Sequence, residues 1–238
     1  MFRLLMVALV GAVSVGCAST STMGLARTLN QGAVQGWVGL QGGGIVATGA
    51  SPGAASPGVG YPMVEGGVRV GASDHVELGA KLGFNGIGLE GKFALLRSPT
   101  MDRGFNFSLN PQVGFFGIGV AGAFVGNLSF QLPLLFGIDI GGHELIIGPK
   151  LHDQVLFGSV ATNGATSGAA VNILSGGLSL GFAIKAGPVR VLPEASFVAP
   201  FHATASVTNG GTASGTGVGG FIFQFGIGLL FGSAESYE

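Results

Sequence analysis

The first of three short motifs that could carry chemistry runs from Gly117 to Gly122 and reads GIGVAG. It matches the dinucleotide-binding pattern GxGxxG, with Asp139 at about the distance of an acidic ribose ligand. That pattern requires a helix after the glycines, but the following residues alternate like a strand and include Gly126 and Pro133. The sequence therefore favours a loop tip here and predicts no cofactor.

The second motif, GLSLG at 177–181, matches the nucleophile elbow GxSxG. An elbow places its serine on a sharp turn between a strand and a helix, whereas here leucines alternate through the motif as they would inside a strand. Ser179 is therefore predicted to be a small residue on the polar face of a strand.

The third candidate is a set of side chains rather than a motif. His152 is predicted to share an inward strand face with Glu194 and Ser196, which gives one combination of the His/acid or His/Ser type. A hydrogen-bonded structural histidine is the ordinary interpretation. The four histidines also lack metal-ligand spacing, so the sequence predicts neither a catalytic residue nor a metal site.

The composition excludes several classes of protein. Only 9% of the 238 residues are charged, the net charge is -1, and the mean hydropathy is +0.60. No segment approaches the ~20 apolar residues of a membrane-spanning helix. The apolar residues are instead interleaved, mostly with the 47 glycines. Nothing indicates a nucleic-acid partner, since no basic patch is present.

The dominant pattern is alternation with a period of two, which is typical of strands with two different faces. The last apolar stretch, 219–231, places a large apolar residue at every second position from Phe221 to Phe231. Similar segments predict a single antiparallel transmembrane β-barrel of about ten strands between residues 32 and 231, with eight or twelve strands as alternatives. The loops at 42–60, 158–171 and 200–217 are predicted to be long and polar, and a soluble sandwich or ligand-binding barrel stays as the alternative class.

Charged side chains occupy the face opposite the large apolar groups, as a polar lumen requires. The predicted lumen charge network consists of Glu65, Arg69, Glu77, Lys81, Glu90, Lys92, Asp139, Lys150, Arg190 and Glu194. A second inward set is small or uncharged and predicts an open pore or pocket beside the eighth strand: Ser175, Gly177, Ser179, Gly181, Gln224 and Gly226. Bulges or bends, or a miscounted strand, are expected at four prolines inside predicted strands: Pro111, Pro133, Pro149 and Pro193.

Both ends of the chain resemble exported bacterial proteins. Residues 1–16 are predicted to be a signal peptide, and Val15-Gly16-Cys17 resembles the lipobox of bacterial lipoproteins, in which the cysteine is lipidated. Ordinary cleavage near Ala18 is the alternative. At the other end, 223–231 resembles the C-terminal strand of small OmpA/OmpW-like outer-membrane barrels. That resemblance implies a Gram-negative outer-membrane location, with membrane lipid and the barrel assembly machinery as partners.

The predicted organisation is therefore a signal peptide at 1–16, a polar lead-in at 17–31, a barrel at 32–231 and a tail at 232–238. The first functional hypothesis is a narrow, porin-like passive channel or carrier for a small solute. A structural or ligand-binding barrel that displays its loops is the second. The third, a lipid-modifying enzyme, depends on His152 having a catalytic partner.

Fractionation of cell membranes tests the predicted class. We expect the protein in the outer membrane, with faster migration on a gel when the sample is not boiled, because folded barrels resist detergent. Mass spectrometry of the N-terminus should show either acylated Cys17 or a chain beginning near Ala18. Recovery in the cytoplasmic fraction would contradict the prediction.

Overall fold

The computed structural model of the protein describes residues 19–48, 55–56, 61–84, 86–100, 102–120, 123–162, 165–207, 212–216 and 220–232. These residues form an all-β structure. Its strands are β1 (Val34–Thr48), β2 (Ala55–Ser56), β3 (Tyr61–Ser73), β4 (Val76–Gly83), β5 (Gly86–Leu96), β6 (Arg103–Leu109), β7 (Gln112–Val120), β8 (Ala123–Ile140), β9 (His143–Thr162), β10 (Ala165–Ala186), β11 (Val189–Val207), β12 (Thr212–Thr216) and β13 (Phe221–Gly232).

The sheet closes on itself through antiparallel neighbours. Around the barrel, β1 is followed by β3, β4, β5, the pair β6 and β7, then β8, β9, β10, β11 and β13, which returns to β1. Strands β6 and β7 both pair with β5 and β8, so they are two halves of one barrel strand. The predicted ten-stranded antiparallel barrel is therefore confirmed, with β2 and β12 as short additions.

The wall of the barrel has an apolar outer face and a polar inner face. Leu82 and Phe225 on the outside are 66% and 52% exposed, whereas Glu77 and Lys92 on the inside are each 3% exposed. A soluble protein would bury the apolar side chains and hydrate the charged ones, since charge is costly to remove from water. The exterior therefore fits hydrocarbon, and the chain is a transmembrane β-barrel rather than a soluble sandwich. No helix capable of crossing a membrane occurs among the described residues.

The strands differ greatly in length. Strand β4 has 8 residues, whereas β8, β9, β10 and β11 have 18, 20, 22 and 19. A strand needs about 9–11 residues to cross a bilayer. The wall from β8 to β11 therefore projects well beyond the membrane on the side opposite the β8–β9 turn.

The predicted polar loops were largely wrong where the structure describes them. Strands β9 and β10 continue through most of 158–171, and β11 continues to Val207. Ala169, for example, pairs with both Gly158 and Val207. Backbone pairing along the hairpin stabilises these Gly, Ala, Ser and Thr residues as strands although their side chains resemble those of loops.

The turn between β8 and β9 requires two glycines. Gly141 and Gly142 have φ angles of 58° and 84°, a left-handed conformation that residues with a Cβ rarely adopt. Such a two-residue turn matches the twist of the strands on either side. It fixes the register in which Asp139 faces Glu144.

The four prolines had different outcomes. The strand is interrupted at Asn110 and Pro111, between β6 and β7, as predicted. The register is unchanged across Pro133, Pro149 and Pro193, so no bulge occurs at these three positions. Each of these prolines removes only one backbone donor.

The register shift in this wall lies elsewhere. Leu174 pairs with His202 and Ser175 with Pro200, which leaves Phe201 as the extra residue of a bulge in β11. This bulge lies where the projecting part of the wall begins.

Arginine placed on the lipid-facing surface tests the orientation of the wall. Leu229→Arg should destabilise the folded barrel by about 2–4 kcal/mol in lipid vesicles, because it exposes a charge to hydrocarbon. The control Thr212→Arg, on exposed β12, should change the stability by no more than about 0.5 kcal/mol. Equal effects in urea titrations would contradict the assigned outer face.

Candidate functional site: the barrel lumen and its N-terminal segment

All ten residues of the predicted charge network face the lumen. Nine are buried, at 1–7% exposure, and Lys81 is half-buried. Ion pairs join several members of the set: Arg69 Nε lies 2.6 Å from Glu90 Oε1 and 3.6 Å from Glu77 Oε1, and Lys92 Nζ lies 2.8 Å from Glu77 Oε1. The guanidinium of Arg69 also lies 5.1 Å from the ring centre of Trp37.

Further partners of this network come from the predicted lead-in. Residues 19–29, here called the lumen segment, lie inside the barrel and are all buried. The sequence predicted only a polar lead-in before the barrel. The structure instead places this stretch against the inner wall, where its contacts run from Gln41 and Glu65 at Ser19 to Glu77 at Leu29.

Glu194 is the most heavily used acceptor of the lumen segment. Its carboxylate accepts the backbone N–H groups of Thr22 and Met23, each at 2.8 Å, and the hydroxyls of Ser21 and Thr22, each at 2.9 Å. Four donors around one carboxylate satisfy its lone-pair positions without an ion pair. The charge is therefore stabilised by the segment itself.

Two further carboxylates bind the backbone closer to the barrel's short turns. Glu144 accepts the N–H groups of Ala26 at 3.0 Å and Arg27 at 3.3 Å, and Glu77 accepts that of Leu29 at 3.0 Å. These bonds satisfy amide groups that have left water.

The carbonyl groups of Thr20, Thr22 and Met23 are bound by two cations and a hydroxyl of the wall. Arg69 donates to the carbonyls of Met23 at 2.8 Å and Thr22 at 3.2 Å. Lys150 and Ser196 both donate to the carbonyl of Thr20. Most of these bonds involve the backbone of the segment, so they depend little on its side chains.

Two other amides of the wall hold the first described residues of the segment. Gln224 Oε1 accepts the N–H and the hydroxyl of Thr20, each at 2.7 Å. Gln131 Nε2 donates to the carbonyl of Ser19. The segment is therefore bound along its described length.

Arg27 binds the wall at the end of the lumen near the β8–β9 turn. Its guanidinium donates to the carbonyls of Ser98 at 2.7 Å and Thr100 at 3.2 Å, in the connection between β5 and β6. The hydroxyl of Thr28 donates to the carbonyl of Asp74 at 2.7 Å in the β3–β4 turn. The segment is thus tied to the turns on this side.

An apolar cluster fills the middle of the same half of the lumen. Met23, Leu25 and Ala26 of the segment contribute to it, and the inward side chains are Trp37, Leu135, Ile146, Ala183, Leu192 and Leu230. A Cβ at Gly226 would lie 2.6 Å from Met23 Cε, so this glycine makes room for the segment.

The predicted pore lining is occupied rather than open. Ser175, Ser179, Gly181 and Gln224 are buried. The hydroxyl of Ser179 donates to the carbonyl of Gly148 at 3.2 Å. A Cβ at Gly181 would lie 3.1 Å from Leu192 Cδ1, and one at Gly177 would lie 2.2 Å from the carbonyl oxygen of Phe197. Neighbouring side chains and the lumen segment thus take the space expected beside the eighth strand, here β10.

The candidate catalytic set is not assembled. His152 is buried at 2% exposure and its Nε2 has no hydrogen-bond partner. Glu194 is bound by the segment, and the hydroxyl of Ser196 contacts Lys150 and the carbonyl of Thr20. Among the described residues, no group of three or more His, Cys, Asp or Glu side chains could hold a metal ion.

The two motifs form strands. Gly117–Val120 ends β7, with Ala121 and Gly122 outside the described residues, and 177–181 lies inside β10. Asp139 accepts a hydrogen bond from Asn106 Nδ2 at 2.8 Å. Cys17, the predicted signal peptide and 233–238 also lie outside the described part of the chain.

Neither a protein-family model nor a curated protein matches the chain. Solved structures that the chain resembles include the outer-membrane protease OmpT of Escherichia coli, with TM-score 0.47 and 9% identity over 87% of this chain and 98% of that one. The translocator domain of autotransporter NalP from Neisseria meningitidis has a TM-score of 0.40 and 13% identity, over 97% of this chain and 95% of that one. Outer-membrane protein OprG of Pseudomonas aeruginosa has a TM-score of 0.33 and 12% identity, over 88% of this chain and 100% of that one.

Of these three, OmpT and OprG are named as outer-membrane proteins. The class of this chain follows from its own closed sheet and two-sided wall, which are the features of a small outer-membrane β-barrel.

Substitution of Glu194 tests how the lumen segment is held. Glu194→Gln should speed hydrogen exchange at the amides of Thr22 and Met23 roughly 10- to 100-fold, since hydrogen bonds to charged groups contribute about 1.5–3 kcal/mol. The matched control Asp153→Asn changes a carboxylate that binds Asn172 and should leave those amides unchanged. Fast exchange at both amides already in the unaltered protein would contradict the contacts described.

Proposed function

We propose that this chain is an outer-membrane barrel that serves as a narrow channel for a small solute, closed at rest by its lumen segment. The observation that carries the proposal is the position of residues 19–29, which occupy the lumen and are bound mainly through their backbone. Wall side chains alone do not fill this lumen, because Gly226 leaves room for Met23. Removing the segment would leave a hollow lined by charged and polar groups and, in its middle, by the apolar wall side chains that now contact Met23 and Leu25.

The bonds that hold the segment suit a reversible closure. Carboxylates, ammonium groups and amides of the wall can exchange a peptide partner for water at a modest net cost, because each bond lost is replaced by one to solvent. The apolar contacts of Met23 and Leu25 oppose opening, since they would be hydrated. The closed state is therefore favoured.

A second candidate function is binding at the projecting wall. Strands β8 to β11 are about twice as long as a bilayer crossing requires, and paired backbone rather than free loops forms the projection. Such a wall presents a fixed surface to the exterior. The lipid-enzyme alternative gains no support, because both candidate partners of His152 bind other groups.

The proposal includes a location and partners. Outer-membrane lipid would cover the exterior, and the assembly machinery would recognise β13 with its row of Phe221, Phe223 and Phe225. Lipidation of Cys17 stays a prediction.

Single-channel recording tests the closure. The refolded chain beginning at residue 18 should show rare or no openings, whereas a chain beginning at Gly32 should conduct steadily. Both must migrate faster on gels when unboiled, which shows that they fold. Glu194→Gln in the longer chain should raise the open fraction, and Asp153→Asn should not.

Two results would contradict the proposal. A flat current from the folded short chain would show that the barrel is not a channel. Equal currents from both chains would show that the segment does not close it.

A further inference from the structure

One polar cavity in the lumen is not occupied by the lumen segment. It lies beside Ser19, between strands β4, β5, β7 and β8, and it is partly open to solvent. The centre of a water molecule can occupy about 20 Å³ of it. Since one water needs roughly 10–15 Å³ on this measure, the enclosed space takes one or two water-sized groups, and the rest of a bound molecule would lie towards the open side.

The cavity contains a cation that lacks an acidic partner. Lys81 Nζ donates to Gln112 Oε1 at 2.8 Å, and among the described residues no carboxylate oxygen lies within 4 Å of it. An ammonium group has three donors, so two are left for another acceptor. Gly88 makes room for this side chain, because a Cβ there would lie 3.0 Å from Lys81 Cγ and Cε.

Three amide side chains around the cavity also have unused hydrogen-bonding atoms. Gln112, Asn127 and Gln131 are 5%, 4% and 6% exposed. The donor Gln112 Nε2 and the acceptors Asn127 Oδ1 and Gln131 Oε1 have no partner. Buried amides are normally satisfied, so these atoms are available to a bound molecule that carries both acceptors and a donor.

We propose that this cavity binds a small hydroxycarboxylate. Its carboxylate would accept hydrogen bonds from Lys81 and Gln112 Nε2, and its hydroxyl would donate to Asn127 Oδ1 or Gln131 Oε1. A cation is disfavoured by Lys81, and a neutral alcohol leaves that charge without a counter-ion. If the barrel is a channel, as proposed above, this site would select small hydroxycarboxylates as its solutes. Binding at the site does not depend on the barrel being a channel.

Calorimetric titration of the refolded protein in detergent tests the site with three probes of similar size. Glycolate carries both groups, acetate lacks the hydroxyl, and ethylene glycol lacks the charge. We expect saturable binding of glycolate, weaker binding of acetate and none of ethylene glycol. Because binding is measured on the closed barrel, a failed channel experiment does not affect the result.

Substitutions in the cavity test which side chains contact the bound molecule. Lys81→Met should weaken glycolate binding by about tenfold or more, since it removes a charge-assisted bond. Asn127→Leu or Gln131→Leu should make glycolate and acetate bind equally. The control Lys185→Met, an exposed lysine near the β10–β11 turn, should bind as the unaltered protein does.

Several outcomes would overturn the proposal. Absence of saturable glycolate binding would show that the cavity holds water only. Equal binding of ethylene glycol, or unchanged binding in a folded Lys81→Met variant, would show that no carboxylate is recognised there. Faster gel migration without boiling confirms the fold of each variant.

Discussion

Backbone amides and carbonyls that leave water need partners inside the protein, and this requirement governs the interior of the barrel. The wall strands satisfy one another, because the sheet is closed. The lumen segment forms no strand with the wall, so its backbone depends on side chains. Glu194, Glu144 and Arg69 supply most of these bonds, and without the segment they would need water instead.

The lumen segment depends on two features of the inner wall, its charged side chains and its glycines. The carboxylates sit on the inner face because the outer face meets hydrocarbon, where charge is costly. The segment reaches them because the inner face of β13 carries small residues at Gly226 and Gly228. The polar inner groups bind the lumen segment and the small inner residues leave room for it, so the segment occupies the lumen.

The sequence predicted the barrel because alternation is local. When large apolar residues occupy one face of a strand, as in Phe221 to Phe231, the outward face of that strand can be predicted without knowledge of its neighbours. The lumen segment could not be predicted in this way, since its partners are up to 204 positions away, as for Thr20 and Gln224. The one available signal was compositional: Ser19 to Thr22 can donate as many hydrogen bonds as an inward carboxylate such as Glu194 needs. The inward-facing Leu135 and Leu192 were also missed, because the pattern placed apolar groups outside.

The position of the lumen segment is tested most directly by the reactivity of a single cysteine. In a chain with Cys17→Ser, Ser21→Cys should react with a membrane-impermeant maleimide far more slowly in the folded barrel than after unfolding, because residue 21 is buried in the lumen. Thr212→Cys, on an exposed strand, should react rapidly in both states. Rapid labelling of both cysteines in the folded barrel would contradict the account.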